Sequence, residues 1–246
     1  MPTEELLFTI TGILILPVMI WSIWAQFNVQ GAFARNSEIP SQSGQTGFTT
    51  ARRLLDQNGL FDVDVELSRG HLSDHYDPRD KTVRLSRDVY HGTSLAALAV
   101  SAHEVGHAVQ DATGYKPLKI RQVIIRTTRL VNVVLLPLII VGMLGMFFMP
   151  FFLGGNFFFW FIIAMTVMYG MTALVQLITL PTEFDASRRA KQMLKQDGVI
   201  NDPEEMEGVS QTLRAAALTY VAGLAVSLVF FLRFLMFVLM LTRGRR

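Results

Sequence analysis

Long stretches without charged residues constrain the fold of this chain more than any other feature. The first extends from Leu6 to Trp24, and a longer one extends from Leu130 to Thr182. A helix needs about 20 apolar residues to cross a lipid bilayer. The first stretch therefore predicts one membrane-spanning helix, and the second has room for two, which we place at Val131–Phe152 and Phe157–Leu180.

A last apolar stretch covers Ala215–Leu232 and continues beyond Arg233, which we expect at a membrane interface or against another helix. The turn of the central hairpin is predicted at residues 153–156, where the sequence is Leu-Gly-Gly-Asn. Glu4 and Glu5 precede the first span and no clear cleavage site follows it, which favours a retained anchor over a signal peptide. The prediction is an α-helical integral membrane protein with about four transmembrane helices.

This pattern divides the chain into five parts. Residues 1–24 form an N-terminal transmembrane anchor, 130–182 a transmembrane helical hairpin and 215–246 a C-terminal membrane segment. Between them lie a soluble α+β region at 25–129 and a helical segment at 183–214. Lys and Arg cluster beside both soluble parts, which predicts that they face the cytoplasm. The arginines at the C-terminus do not fit this orientation, because four full spans place them on the opposite side.

Composition limits the chemistry that the chain can perform. Lys and Arg number 22 against 20 Asp and Glu, and a net charge of +2 is too balanced for a nucleic-acid surface. We therefore expect the lipid bilayer as a partner and no nucleic acid, while small residues in the apolar helices leave an oligomer open. Cysteine is absent, which excludes disulfides, thiolate zinc sites and cysteine nucleophiles. Any metal must be held by carboxylates and by the five histidines.

The region at 25–129 has the pattern of a small α+β domain. Helical spacing occurs at Thr49–Asn58, and a second helix is predicted to begin near Thr93 or Ser94 and to end before Gly114. Alternation and turn residues predict an antiparallel sheet of about three strands. The strands are expected at Phe61–Leu67, His71–Tyr76 and Thr82–Ser86.

The second of these helices contains the sequence His103-Glu104-Val105-Gly106-His107. Residues four apart are neighbours on one face of a helix, so the two imidazoles can bind one zinc ion. Glu104 flanks that position without having to ligate the metal, and can accept a proton from a water molecule there. Two histidines and a glutamate in an otherwise apolar helix would be costly without such a partner.

A catalytic zinc site requires a third protein ligand, and no further histidine follows on the same segment. Glu183 and Asp185 come directly after the third predicted span. Pro181 is expected to end that span, with Thr182 capping a new helix and Asp185 completing a capping box. Because a helix N-terminus also favours a carboxylate for electrostatic reasons, these residues alone leave the role of Glu183 open.

Three motifs carry a resemblance to a known family: HEVGHAVQ at His103–Gln110, DHYDP at Asp74–Pro78 and PTEFDASRRA at Pro181–Ala190. With them the chain resembles, over nearly its whole length, the YugP-like family of neutral membrane zinc metallopeptidases. It is also distantly similar to HtpX-type and CAAX-prenyl-type membrane proteases, whose later motif reads Glu-x-x-Ala-Asp. Here Glu183 and Ala186 match that motif, whereas Ser187 stands at the position of the Asp.

The resemblance implies a zincin-like, gluzincin-like metalloendopeptidase region, with one zinc ion per chain held by His103, His107 and Glu183. Zinc lowers the pKa of bound water toward 7, and Glu104 is the expected general base. Asp111 and Asp185 are candidates for orienting the zinc ligands by hydrogen bonds to the ligand side chains. Candidate donors to the reacting carbonyl oxygen are His71, His75, Tyr76, Tyr90, His91 and Tyr220.

The expected substrate is a peptide or a membrane protein near the bilayer, whose extended backbone could pair with the edge of the small sheet. One alternative is a zinc-containing membrane scaffold or partner-binding protein without turnover. Another is a metal hydrolase that acts on a lipid or an amide. The presence of Glu104 argues against a purely structural site, because such a site does not need a base.

Overall fold

The computed structural model describes residues 3–70, 73–124 and 154–243, together with positions 133, 134, 137 and 140. It is mostly helical and contains one small sheet. The helices are α1 (Thr3–Ser37), α2 (Gly47–Gln57), α3 (Arg87–Tyr90), α4 (Leu95–Ala112), α5 (116–124), α6 (Gly154–Gln196) and α7 (Pro203–Arg243). The strands are β1 (Asp64–Leu67), β2 (His75–Asp77) and β3 (Thr82–Leu85).

Among the described residues, three helices are long and apolar enough to cross a membrane: α1, α6 and α7. They correspond to the first, third and fourth predicted spans. The second predicted span, at 131–152, lies outside the described residues apart from four isolated positions. The structure therefore supports a helical membrane protein with three candidate spans in its described part, rather than the four that the sequence predicts for the whole chain.

The helices extend well beyond the predicted spans. Helix α1 continues from Trp24 to Ser37, and α7 joins the predicted 203–214 helix to the C-terminal apolar stretch without a break. These differences arise because hydropathy shows where a chain can meet lipid but not where a helix ends. The polar continuation of α1 is stabilised by packing, since Ala25, Ala32 and Asn36 are buried.

Helix α6 corrects two predictions. It already includes Gly154, where a turn was expected, and it passes through Pro181 instead of ending there. The predicted capping box at Thr182 and Asp185 is therefore wrong. Proline removes one N–H donor and strains the preceding turn, yet α6 continues, and two side chains from outside α6 contact its carbonyls at this point. Gln110 Nε2 donates to the Thr182 carbonyl at 2.8 Å, and the Tyr115 hydroxyl donates to the Pro181 carbonyl at 3.4 Å.

The chain forms two compact units. The first, which we call the apolar unit, comprises Met1–Trp24, Arg121–Ile178 and Tyr220–Arg246. The second, which we call the α/β unit, comprises Ala25–Ile120 and Thr179–Thr219. All three strands and the HEVGH helix belong to the α/β unit.

Within the apolar unit, α1 provides partners for two arginines of α7. Arg233 donates from Nη1 to the Phe8 carbonyl at 3.2 Å, and its guanidinium lies 4.2 Å from the centre of the Phe8 ring. Arg243 forms an ion pair with Glu4 at 2.7 Å. The position of Arg233 against another helix confirms one of the two predicted alternatives, and a charge in an apolar segment requires such partners.

The core of the α/β unit packs α2, α4 and the sheet around buried aliphatic side chains. Thr46 and Ser94 cap α2 and α4 by accepting hydrogen bonds from Thr49 N and Ala97 N. Gly114 follows α4 with a φ of 67°, a conformation that glycine adopts without strain. The bounds predicted for α4 are thereby confirmed. The largest fully buried side chains include Leu54, Leu55, Leu85, Leu95, Leu98 and Leu194.

The sheet has the strand order β1-β3-β2, with β2 antiparallel and β1 parallel to β3. The predicted three strands are confirmed, but the prediction that all of them are antiparallel is wrong for the β1–β3 pair. Alternation shows which face of a strand is buried, not which strand lies beside it. The most apolar strand is β3, with Val83 and Leu85 fully buried, and it takes the central position while the more exposed strands form the edges.

Asp74 ties the segment before β2 to the end of β3. Its Oδ1 accepts from the Ser86 backbone N–H at 2.7 Å, and its carboxylate also accepts from the Ser86 hydroxyl. Burial raises the pKa of Asp74, in spite of these hydrogen bonds. We expect Asp74→Ala to lower the free energy of unfolding by about 1–3 kcal/mol, because the buried amide of Ser86 loses its acceptor.

Chemical denaturation of Asp74→Ala and Asp80→Ala tests this prediction. Asp80 is an exposed partner of Arg84, so its removal is expected to cost less than about 1 kcal/mol. Equal losses in the two variants would show that the contact between Asp74 and Ser86 contributes no more than a surface ion pair.

Candidate metal centre

Helix α4 brings the HEVGH motif into the interior of the α/β unit. Glu104 and His107 are buried, and His103 is partly exposed. Gly106 allows a very close approach of α6, because a Cβ at this position would lie 2.7 Å from the Ala186 carbonyl oxygen. This approach places the Glu183 side chain on the same side of α4 as the two imidazoles.

The three predicted ligands converge. His103 Nε2 lies 3.2 Å from Glu183 Oε2, and His107 Nε2 lies 3.7 Å from the same oxygen. In the described part of the chain, these three residues form a group whose potential ligand atoms all lie within 4.8 Å of one another. Ligand atoms about 2.0–2.1 Å from a tetrahedral zinc ion are separated by roughly 3.4 Å. The spacing and the donor types therefore suit a zinc ion.

The other ring nitrogens of the two histidines have partners that fix their orientation. His107 Nδ1 lies 3.0 Å from Gln110 Oε1, and His103 Nδ1 lies 3.2 Å from Ser187 Oγ. An amide oxygen can only accept, so His107 carries its proton on Nδ1. A histidine protonated on Nδ1 presents the lone pair of Nε2, which is the arrangement that metal-binding histidines require.

Glu104 lies in an environment that favours its neutral form. Its pKa is raised to about 7, mainly by burial. Glu183 and Asp74 also raise the pKa, while His103 and the Tyr76 backbone amide lower it. A carboxyl group with a pKa near neutrality can both accept and release a proton at physiological pH. A divalent cation at the three ligands would favour the ionised form.

The structure places the two residues that were expected to orient the ligands in different surroundings. Asp111 accepts a hydrogen bond from the Tyr76 hydroxyl at 3.1 Å, while Gln110 is the residue that contacts His107. Asp185 is buried and reaches the site indirectly. Its Oδ2 accepts from Gln110 Nε2 at 3.0 Å and from Arg189 Nε at 2.6 Å, and it also pairs with Arg188.

The candidate donors to the reacting carbonyl oxygen do not form one cluster in the described part of the chain. His75 is exposed on β2, where its Nδ1 lies 2.8 Å from the Ser73 carbonyl oxygen, and Tyr90 stacks on Phe48. His91 is exposed after α3, and Tyr220 belongs to the apolar unit. His71 lies outside the described residues. Of the set, Tyr76 is the residue whose backbone interacts with Glu104.

Gln110 and Ser187 were missed as partners of the histidines. Gln110 follows His107 by three residues and Ser187 follows Glu183 by four, spacings that place each pair on one helix face. A polar residue at such a spacing behind a candidate ligand, in an otherwise apolar turn, is a signal that could have identified Gln110. Ser187 could not be assigned to His103 in this way, because the two residues lie on different helices.

Comparison with known proteins agrees with this site. A family model described as "Putative neutral zinc metallopeptidase" matches residues 11–239. A relative named "Putative membrane protease YugP", from Bacillus subtilis (strain 168), is 46% identical over 215 residues, which cover 87% of this chain and 90% of the relative. No solved structure matches the chain. With paired histidines on α4, a glutamate on α6 and a match over almost its full length, this chain belongs to the neutral zinc metallopeptidase family.

Proposed function

We propose that this protein is a membrane-embedded zinc endopeptidase that hydrolyses peptide bonds, with His103, His107 and Glu183 as ligands and Glu104 as general base. The observation that carries the proposal is the convergence of the two Nε2 atoms on Glu183 Oε2, with a buried carboxyl group adjacent on the same helix. Three protein ligands leave a fourth position for water or substrate, which is typical of catalytic rather than structural zinc.

When bound, a zinc ion supplies Lewis acidity, which activates water and polarises the scissile carbonyl. Glu104 then accepts a proton from the attacking water and delivers it to the leaving amine. A divalent cation beside it would favour the ionised form of Glu104, which is the form that accepts this proton. The burial of Glu104 separates it from bulk water, which would otherwise compete for the same proton.

The sheet offers a way to bind an extended substrate. Strand β2 is an edge strand, and the backbone amide of Tyr76 interacts with Glu104. This contact supports the proposal that an extended peptide binds along the outer edge of β2, by backbone hydrogen bonds that do not depend on its sequence. The substrates that we propose are peptides or membrane proteins close to the bilayer.

The charge distribution supports a cytoplasmic location for the α/β unit. Basic residues are concentrated in α5, before the undescribed part of the chain, and in the last turns of α6. An excess of Lys and Arg beside membrane spans marks the cytoplasmic side. The residues concerned are Lys116, Lys119, Arg121, Arg188, Arg189, Lys191 and Lys195.

The test is zinc content and chelator-sensitive cleavage by the full-length protein in detergent. We expect about one zinc per chain, and cleavage of casein that a chelator abolishes and added zinc restores. Zinc at 100 times its Kd should also raise the free energy of unfolding by about 2.7 kcal/mol. Glu183→Ala should bind zinc more weakly than the wild type does.

The outcomes separate the candidate functions. Zinc binding without cleavage of any peptide in a library would favour the zinc-containing scaffold over the endopeptidase. Wild-type protein that takes up no zinc would remove the metal centre and the enzyme together. Zinc affinity unaffected by Glu183→Ala would require a different third ligand.

A further inference from the structure

Gln110 is a fully buried polar residue near the candidate metal centre, with an exposed fraction of 0%. Both the oxygen and the nitrogen of its amide form hydrogen bonds. Oε1 accepts from His107 Nδ1 at 3.0 Å, and Nε2 donates to the Thr182 carbonyl at 2.8 Å and to Asp185 Oδ2 at 3.0 Å. The first contact lies within α4, and the other two reach α6. One side chain therefore joins a histidine ligand to the helix that carries Glu183.

The contacts on α6 determine which way the amide points. The Thr182 carbonyl and the Asp185 carboxylate are both acceptors, so only the NH₂ group can face them. The amide oxygen must then face His107. The reversed amide would place its oxygen against two acceptors and its NH₂ against a ring N–H. The same Asp185 oxygen also accepts from Arg189 Nε at 2.6 Å.

We infer that Gln110 is a positioning residue for zinc, which sets the ring of His107 and the placement of Glu183 through one amide. Its oxygen holds the proton on Nδ1, which leaves the lone pair of Nε2 for the metal. Its NH₂ group holds α6 at the turn that carries Glu183. This role rests on the proposed metal centre and extends it to a residue that touches neither metal nor substrate.

The chemistry of the position explains why an amide is suitable and a carboxylate is not. A glutamate here could accept from His107, but it would lie within hydrogen-bond distance of Asp185 and of a carbonyl oxygen without a proton to donate. A methionine has nearly the same length, but its sulfur is only a weak acceptor for the ring N–H and it has no donor for α6. Gln110→Met therefore removes both hydrogen bonds to α6 and weakens the one to His107, while preserving most of the packing volume.

The test compares zinc affinity in Gln110→Met and Ser101→Ala, in full-length protein in detergent, by competition with a chromophoric chelator. Ser101 is also fully buried on α4, but its hydroxyl donates to Ala97 O of its own helix. We expect Gln110→Met to bind zinc about 10- to 100-fold more weakly than the wild type, as is usual when a partner of a ligating histidine is removed. Ser101→Ala should bind zinc within twofold of the wild type.

A second measurement does not depend on the folding of the variant. In zinc-loaded wild-type protein with ¹⁵N-labelled histidine, the His107 ring should show a proton on Nδ1 that exchanges slowly with solvent. His75, which is exposed, provides the fast-exchanging reference. A His107 ring N–H that exchanges as fast as that of His75, or zinc affinity in Gln110→Met within twofold of the wild type, would overturn the role of Gln110.

These outcomes are distinct from failure of the proposed function. Zinc bound by the wild type and weakened in Gln110→Met, without any peptide cleavage, would support Gln110 and contradict the endopeptidase. Normal cleavage and unchanged zinc affinity in Gln110→Met would support the endopeptidase and contradict the role of Gln110. Wild-type protein that binds no zinc would overturn both.

Discussion

Glu104→Gln is expected to lower kcat for peptide cleavage by about 10²- to 10⁴-fold while zinc remains bound. Glutamine preserves the size of the side chain but cannot accept a proton at neutral pH, so the attacking water loses its base. Glu104 is not one of the three converging ligands, and zinc content should therefore stay close to that of the wild type. The measurement is steady-state cleavage together with elemental analysis of the same sample.

The stability of this variant provides an internal check. The raised pKa of Glu104 shows that the folded protein disfavours its ionised form, mainly because the group is buried. Replacement by a neutral amide should therefore not lower the melting temperature of the zinc-free protein. Glu66→Gln is the matched control, since Glu66 is an exposed residue of β1 paired with Arg84, and it should cleave at the wild-type rate. Equal rates for Glu104→Gln and the wild type would exclude Glu104 as the base.

Gly106→Ala is expected to weaken zinc binding by about tenfold or more and to destabilise the α/β unit by about 1–3 kcal/mol. The added methyl group would meet the Ala186 carbonyl at 2.7 Å, and a backbone atom cannot rotate away as a side chain can. The strain is relieved only if α6 moves away from α4. That movement takes Glu183 away from His103 and His107, and each 1.4 kcal/mol lost in placing a ligand costs about tenfold in affinity.

Gly31→Ala is the control for this substitution. It also adds a methyl group inside a helix, but the neighbouring atom is the tip of the Arg35 side chain at 3.1 Å, which can move. Alanine favours helix over glycine by up to about 1 kcal/mol, so this variant should be as stable as the wild type or more stable. Wild-type zinc affinity in Gly106→Ala would show that the close approach of the two helices does not position Glu183.

Local patterns were sufficient to predict the elements that depend on few neighbours. Ser94 and Gly114 mark the ends of α4 because a capping hydroxyl and a left-handed glycine act within one turn. The contacts between helices and strands could not be predicted from these local patterns. The parallel pairing joins β1 to β3, which are not consecutive strands, and α6 continues through Pro181 although proline is locally a helix-breaking signal.

The same distinction applies to the candidate site. His103, Glu104 and His107 could be recognised together because four residues complete about one helical turn, so their proximity is a local property. Glu183 was expected as the third ligand by resemblance. The helix start that was expected to present it does not exist. Glu183 lies inside a 43-residue helix, and its position is due to the contact of Gly106 with Ala186 and to the amide of Gln110.

The sequence by itself determined that this chain carries helices apolar enough to span a membrane, and that one helix presents two histidines and a glutamate in metal-binding order. Hydropathy and helical periodicity are properties of consecutive residues, and they are readable without knowledge of the rest of the fold. Only the tertiary structure decided which carboxylate joins the histidines, which nitrogen of His107 faces it and which residue holds the other. Those choices depend on the distances between α4 and α6, which are set by the packing of the two helices. His103 and Glu183 are 80 residues apart in the sequence, so no local pattern contains these distances.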